Sequence, residues 1–294
     1  MAVAAPAVPR RRLRAGAGGP RYPAWLSLPA AGWYGLFFIA PLAILAVFSV
    51  SELVGYGSIA YHATFGNYRR LFDPLYGKVF LRTLELALFG TAGTLVLGFP
   101  LAYYLARWAK HRTLLLLLVV VPFWTSFLIR TYAWLIILDP SFPLFRGLRT
   151  LGVHLDLVYT RPAIYIGVVY TYLPLMVLPL YGTLERMDWS LVEAAQDLGD
   201  SPLRAFRRVT LPLALPGVVA GSLLVFIPLT GEYLNPVILG GGKTLYAGNL
   251  ISEEFLDARD WPFGSAIAMM LVAALTVAMV VYARLLNRQE QFGG

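Results

Sequence analysis

Four charged side chains lie within apolar stretches of this chain: Arg82, Glu85, Arg130 and Glu232. A charge at the centre of a bilayer costs roughly 2.5–3.5 kcal/mol on insertion scales, so such residues face a protein interior or water. Arg82 and Glu85 are three residues apart, a spacing at which they can pair on one helix. Arg130 has Glu232 and Glu85 as candidate partners, which leaves it between a structural ion pair and a pathway role. Glu232 follows Gly231 and is flanked by Pro228 and Pro236. Those residues weaken a helix and leave backbone groups to line a cavity. A carboxylate there attracts a cationic amine, and aromatic faces such as Tyr233 or Trp124 add cation–π attraction. The alternative reading of Glu232 is a buried ion pair that holds a helix bundle together.

Other chemistry is not supported. There is no cysteine, which removes disulfides, thiolate zinc sites, iron–sulfur ligation and cysteine nucleophiles. His62, His111 and His154 lie in separate segments without ligand spacing, so no metal site is expected. The run Gly240-Gly241-Gly242-Lys243-Thr244 invites a phosphate-loop reading. That pattern needs a glycine five positions before Gly242, where the chain has Val237. The run reads instead as a flexible turn. No Gly-x-Ser-x-Gly elbow occurs. No residue is read as catalytic, and no cofactor is expected on this chain.

The elements that must position the charges follow from composition. Of 294 residues, 58% are hydrophobic and only 14% charged, with a mean hydropathy of +0.66 and a net charge of +8. Soluble domains carry about 25% charged residues. The excess positive charge therefore points to a membrane protein with basic loops and not to nucleic acid. Six stretches are long enough to span: 33–50, 79–106, 114–138, 163–181, 217–239 and 263–286. With the N-terminus inside, the inner segments hold fourteen Lys and Arg and the outer loops eight. The short loop 107–112 is the most basic, and six spans place both termini in the cytoplasm. Residues 1–24, rich in Ala, Pro, Gly and Arg, read as a disordered basic cytoplasmic tail and residues 25–294 as one membrane domain. The first span is expected to be retained, because it lacks a small-x-small cleavage site.

The long inner loop, 185–215, is the most informative. Leu191, Ala194, Ala195 and Leu198 fall at helical spacing, Asp188 or Ser190 can cap the helix, and Gly199 is placed to end it. Ser201-Pro202 then opens a second short helix with Arg204, Arg207 and Arg208 as its basic face. Such a helix–Gly–helix knob suits docking into a groove of another protein, against the alternative of a solvated interfacial hairpin.

Glu193-Ala194-Ala195, then Gly199, then Val209-Thr210-Leu211-Pro212 resembles the EAA signature of binding-protein-dependent ABC importer permeases, with Val209 in place of the usual Ile. Residues 122–134, together with Gly231-Glu232-Tyr233, Pro236 and Leu239-Gly240-Gly241, are similar to the spermidine/putrescine permease branch. The similarity runs from about residue 33 to 288. It implies an all-α membrane protein with six spans and the type I (MetI-like) importer permease fold, in a bacterial inner membrane. It implies a heterodimer with a second permease, an ATP-binding subunit dimer that carries ATP and Mg, and an external solute-binding protein. Glu193, Ala194, Ala195, Asp197, Gly199, Arg204, Leu211 and Pro212 are the implied ATPase-coupling residues. Glu232, Tyr233, Trp124, Arg130, Tyr132 and Glu85 are the expected substrate-pathway residues, for polyamines or a related small solute. The rival is an ion-gradient-driven secondary transporter, which calls for inverted repeats or ion-coupling carboxylates; the chain shows no repeat and only two acidic residues within the spans.

Overall fold

The computed structural model describes residues 28–55 and 57–292. The expectation for residues 1–24 lies outside the described residues. Contacts divide the chain into two units, 1–44 and 45–294. The described part of the first unit is helix, continuing as α1 (Leu28–Ser49), with Trp33, Phe37 and Phe38 exposed.

The second unit begins with a hairpin, β1 (Glu52–Gly55) and β2 (Ser58–Ala60), paired antiparallel, followed by α2 (Gly66–Arg70). The longer helices are α3 (Pro74–Arg107), α7 (Arg161–Glu185), α9 (Pro202–Thr230) and α12 (Trp261–Phe292). Between them lie α4 (Arg112–Trp124), α5 (Phe127–Ile137), α6 (Pro143–Thr150), α8 (Ser190–Asp197), α10 (Leu234–Ile238) and α11 (Ala247–Leu256).

Three helices form the core. α3, α7 and α9 bury Leu86, Leu105, Val168, Met176, Leu180 and Leu229 between them. Apolar side chains gain little from leaving lipid for protein, so close approach of backbones drives this packing. Met176 of α7 shows how close. A Cβ on Gly98 of α3 falls 2.9 Å from its Cγ, and one on Gly221 of α9 falls 2.8 Å from its Sδ and 3.1 Å from its carbonyl oxygen. Thr83 of α3 is buried and its Oγ1 accepts from the Ala247 amide at 2.8 Å, which fixes the start of α11 on α3.

Among the described residues, five helices are long and apolar enough to cross a membrane, and a bent pair, α4 and α5, supplies a sixth candidate. Two expectations are corrected. The stretch 114–138 is not one rod: α4 and α5 meet at 98°. Pro122 removes a helical amide, the turn Val121–Trp124 tightens to 3₁₀, and Thr125 and Ser126 are extended, with the Thr125 hydroxyl donating to the Pro122 carbonyl at 2.7 Å. The fifth stretch also differs. Its helix starts at Pro202 rather than Gly217 and stops at Thr230 rather than Leu239. The expected second short helix of the loop is therefore the beginning of α9, because Pro202 starts a helix that residues 206–210 carry forward through one π turn.

Gly221→Leu forces a branched side chain onto the Met176 backbone. The expected cost is about 1–3 kcal/mol, read as a lowered melting temperature of the purified protein; an unchanged melting temperature contradicts the close packing of α7 and α9.

Candidate functional site

Two regions carry the residues singled out by sequence. The first is the hairpin of α8 and the start of α9. The Ser190 amide donates to Asp188 Oδ1 at 3.0 Å, and hydrogen bonding from the Ser190 side chain, with that amide, holds the Asp188 carboxyl below the usual carboxylate range. Gly199, with φ +95°, turns the chain out of α8 in a conformation that only glycine adopts without strain. Asp200 then accepts from Arg208 Nη1 at 3.2 Å and lies 3.9 Å from Arg204 Nη1, so the expected basic face is tied back onto the turn.

The hairpin is anchored from one side only. Val192 of α8 and Ala205 at the start of α9 are buried, and Trp189 packs edge-on against Tyr103 of α3, which also meets Phe206. Arg107, the last residue of α3, sets its guanidinium over the Trp189 ring at 4.7 Å and its Nη2 3.5 Å from Glu193 Oε1. The opposite face is bare: Leu191 is 49% exposed, Leu198 90% and Leu203 60%. Ala194 and Asp197 are exposed beside them, Ala195 is half-buried, and Leu211 and Pro212 are exposed on the first turns of α9. The sequence reading missed Arg107, Trp189 and Tyr103. The signal was available, since an arginine and aromatics flank both segments, but nothing in the spacing said that they meet.

The second region is the break between α9 and α10. Glu232 is 6% exposed. Its Oε1 accepts from the amides of Leu234 at 3.0 Å and Asn235 at 3.2 Å, and its Oε2 accepts from the Tyr172 hydroxyl at 2.7 Å. The carboxylate thus caps α10 and reaches α7. Tyr172 is near the middle of α7, about 17 Å from one end and 20 Å from the other at 1.5 Å per residue. Irregular backbone at that depth is tolerated only where it is buried in protein or lines a cavity. Here Asn235, Pro236 and Ile238 are buried, and Asn249 of α11 donates to the Tyr233 carbonyl at 3.0 Å. Tyr172, Asn235 and Asn249 were not anticipated, because they come from three separate elements.

The expected ion pairs do not form. Glu85 faces Arg161 of α7 at 3.9 Å instead of Arg82 on its own helix. Arg130 is buried, its Nε lacks a partner, and its guanidinium lies 5.4 Å from the Phe123 ring and 5.9 Å from the Phe127 ring, so it bridges the α4–α5 bend and pairs with neither Glu232 nor Glu85. Trp124 is exposed on the 3₁₀ turn and Tyr233 is 42% exposed beside the break. Tyr132 lines a cavity of 460 Å³ with Tyr159, Val237, Ile238 and Lys243. The lysine makes that cavity positive.

Residues 94–291 match the family described as binding-protein-dependent transport system inner membrane component. The chain is 42% identical over 267 residues to the spermidine/putrescine transport system permease protein PotB of Escherichia coli (strain K12), covering 88% of this chain and 97% of that one. It is 41% identical to PotB of Haemophilus influenzae, covering 87% and 93%. It is 29% identical to the inner membrane ABC transporter permease protein YdcU of Escherichia coli, covering 86% of each. In fold it is similar to a chain of a bacterial ABC transporter involved in the import of the acidic polysaccharide alginate, with a TM-score of 0.67 at 16% identity over 90% of this chain and 94% of that one.

Proposed function

The chain belongs to the binding-protein-dependent transport system inner membrane components, and on that footing we propose that it is the polyamine-conducting permease of an ATP-driven importer whose ATPase docks on the α8 hairpin. Family membership makes it a multi-pass inner-membrane transport subunit and not an enzyme. The partners in the proposal are a second, related permease, a pair of ATP-binding subunits that hold ATP and Mg, and an external solute-binding protein. Both termini lie in the cytoplasm, with the basic loop 107–112 beside the hairpin on that side.

The observation that carries the reading is the one-sided anchoring of the hairpin. Leu191, Leu198 and Leu203 present apolar surface to solvent at the end of a membrane domain, while Arg107, Trp189 and Tyr103 hold the other face to α3. An apolar helix face beside Glu193, Asp197 and Arg204 fits a groove of a soluble partner. The ATPase biases the permease only through different affinity for its two states. Gly199 and Asp200 set the hairpin's angle to α9, so a push on α8 becomes a displacement of α9. Leu211 and Pro212 lie on the α9 turns that receive it.

The substrate assignment rests on Glu232. A buried carboxylate at mid-membrane, with Tyr233 at its side and Trp124 and Tyr132 exposed on the α4–α5 segment, suits a linear polycation better than a neutral sugar. Arg130 and Glu85 are the further charges proposed along the pathway; the cation of Arg130 limits where an amine can rest.

Reconstitution with the partner subunits tests both halves. Glu232→Gln is expected to lower spermidine and putrescine uptake by roughly tenfold or more, the value of about 1.4 kcal/mol, with normal assembly; undiminished uptake removes Glu232 from the pathway. Gly199→Val places a β-branched residue at φ +95° and is expected to abolish substrate-stimulated ATP hydrolysis while the chain still inserts. Retained coupling in that variant counts against transmission through the hairpin.

A further inference from the structure

Glu232 is fully engaged in this structure, although the proposed function needs its carboxylate to meet an amine. Three donors hold it: the Tyr172 hydroxyl at 2.7 Å and the amides of Leu234 and Asn235 at 3.0 and 3.2 Å. A carboxylate with three hydrogen bonds and 6% exposure is turned into the protein. For it to serve a substrate, at least one of those contacts has to open.

The two amides belong to the segment that Glu232 itself caps, so they travel with it. Tyr172 belongs to another helix. Its hydroxyl is the contact that breaks when α10 and α7 shift relative to one another. We propose that Tyr172 is a positioning residue for transport: its phenol holds Glu232 occluded, and its release presents the carboxylate to the pathway. This inference rests on the reading of Glu232 as a pathway residue.

Three further features favour an arrangement with two positions. First, α10 is seated on α7 at its limit of approach. A Cβ on Gly167 falls 2.8 Å from Asn235 Oδ1 and closer still to Leu239, so the movement open to α10 is away from α7 or along it. Second, the Asn235 side chain is completely buried and both its amide nitrogen and oxygen lack partners. An unsatisfied buried amide raises the energy of the arrangement that contains it, and any shift that gives it water or a partner recovers the loss. Third, α9 is a single helical run from Pro202 at the hairpin to Thr230 at the break. A displacement at the hairpin therefore reaches residue 231 through one continuous helix, by way of the π turn at 206–210 and past Pro216 and Pro228. α11 also closes on the break: a Cβ on Gly248 falls 2.6 Å from the Gly231 carbonyl oxygen. With α7 and α11 both this close, the movement left to the segment is along α7, which carries Glu232 off Tyr172.

Tyr172→Phe removes one hydroxyl and keeps the ring. The test is a double-mutant cycle on ATP hydrolysis by the complete reconstituted complex, without binding protein or substrate. It uses Tyr172→Phe, Glu232→Ala and both together. The closed arrangement loses a single hydrogen bond, so Tyr172→Phe is expected to raise basal hydrolysis about fivefold. Glu232→Ala is expected to raise it as well, and the double variant no further than the larger single effect. If Glu232→Ala does not assemble, Glu232→Asp replaces it, because a carboxylate one methylene shorter cannot reach the α10 amides and Tyr172 together. Unchanged basal hydrolysis in Tyr172→Phe, or effects that multiply in the double variant, overturns the proposal. The two readings fail separately. Basal hydrolysis involves no polyamine, so normal polyamine uptake in Glu232→Gln removes the pathway role while leaving the contact measured. Multiplying effects with uptake dependent on Glu232 remove the positioning role alone.

Discussion

A helix that stops and restarts inside a membrane leaves carbonyls at its end, and amides at the new start, that neither water nor the next turn can satisfy. The structure depends on how this chain meets that constraint at residue 231. Glu232 turns back to accept from the amides of Leu234 and Asn235, and its remaining oxygen takes the Tyr172 hydroxyl. The carboxylate that is costly at this depth is what makes the break possible. The break in turn separates a long helix, α9, from a short one seated against α7. Substituting the charge therefore touches the backbone as well as the proposed pathway, which is why assembly has to be measured beside transport.

The same helix links the two functional regions. Its first residues, from Pro202, belong to the hairpin, where Gly199 and Asp200 fix the turn and Arg107 with Trp189 fixes α8 to α3. Its middle residues pack on Met176 through Gly221, close enough for backbone to meet side chain. Its end is the Glu232 cap. A domain whose central three helices are this tightly packed transmits a displacement rather than dissipating it. The bend between α4 and α5, bridged by Arg130 with Phe123 and Phe127, lies outside that core.

Much of this was legible in the sequence. Hydropathy located the five apolar helices and the bent pair, though not the bend or the bounds of the fifth, because length and apolarity decide what can cross a bilayer. The EAA resemblance located the hairpin, and Gly199 adopts the positive φ expected of a helix-ending glycine. What was not legible is tertiary. The spacing of Arg82 and Glu85 suggested a local pair, but Glu85 reaches α7 and Arg161, since a helix inside a bundle has neighbours that sequence spacing does not reveal. Pro122 carried the signal for the α4–α5 bend, yet membrane helices often continue past proline, and only the extended backbone at Thr125 and Ser126 makes it a corner. Tyr172 had no signal at all: one tyrosine among seventeen, made significant by a residue sixty positions later.

In the proposed cycle the Tyr172–Glu232 contact opens when ATP drives the hairpin. Hydrogen exchange of the assembled importer, compared between its nucleotide-free and ATP-trapped states, reads both ends of α9 at once. The account predicts that the amides of residues 231–238 exchange faster in the ATP-trapped state, as Glu232 leaves Tyr172 and α10, still capped, loses its seat on α7 and meets water, while residues 190–203 become more protected against the ATPase. Equal protection of residues 231–238 in the two states, with the hairpin still responding to ATP, contradicts it.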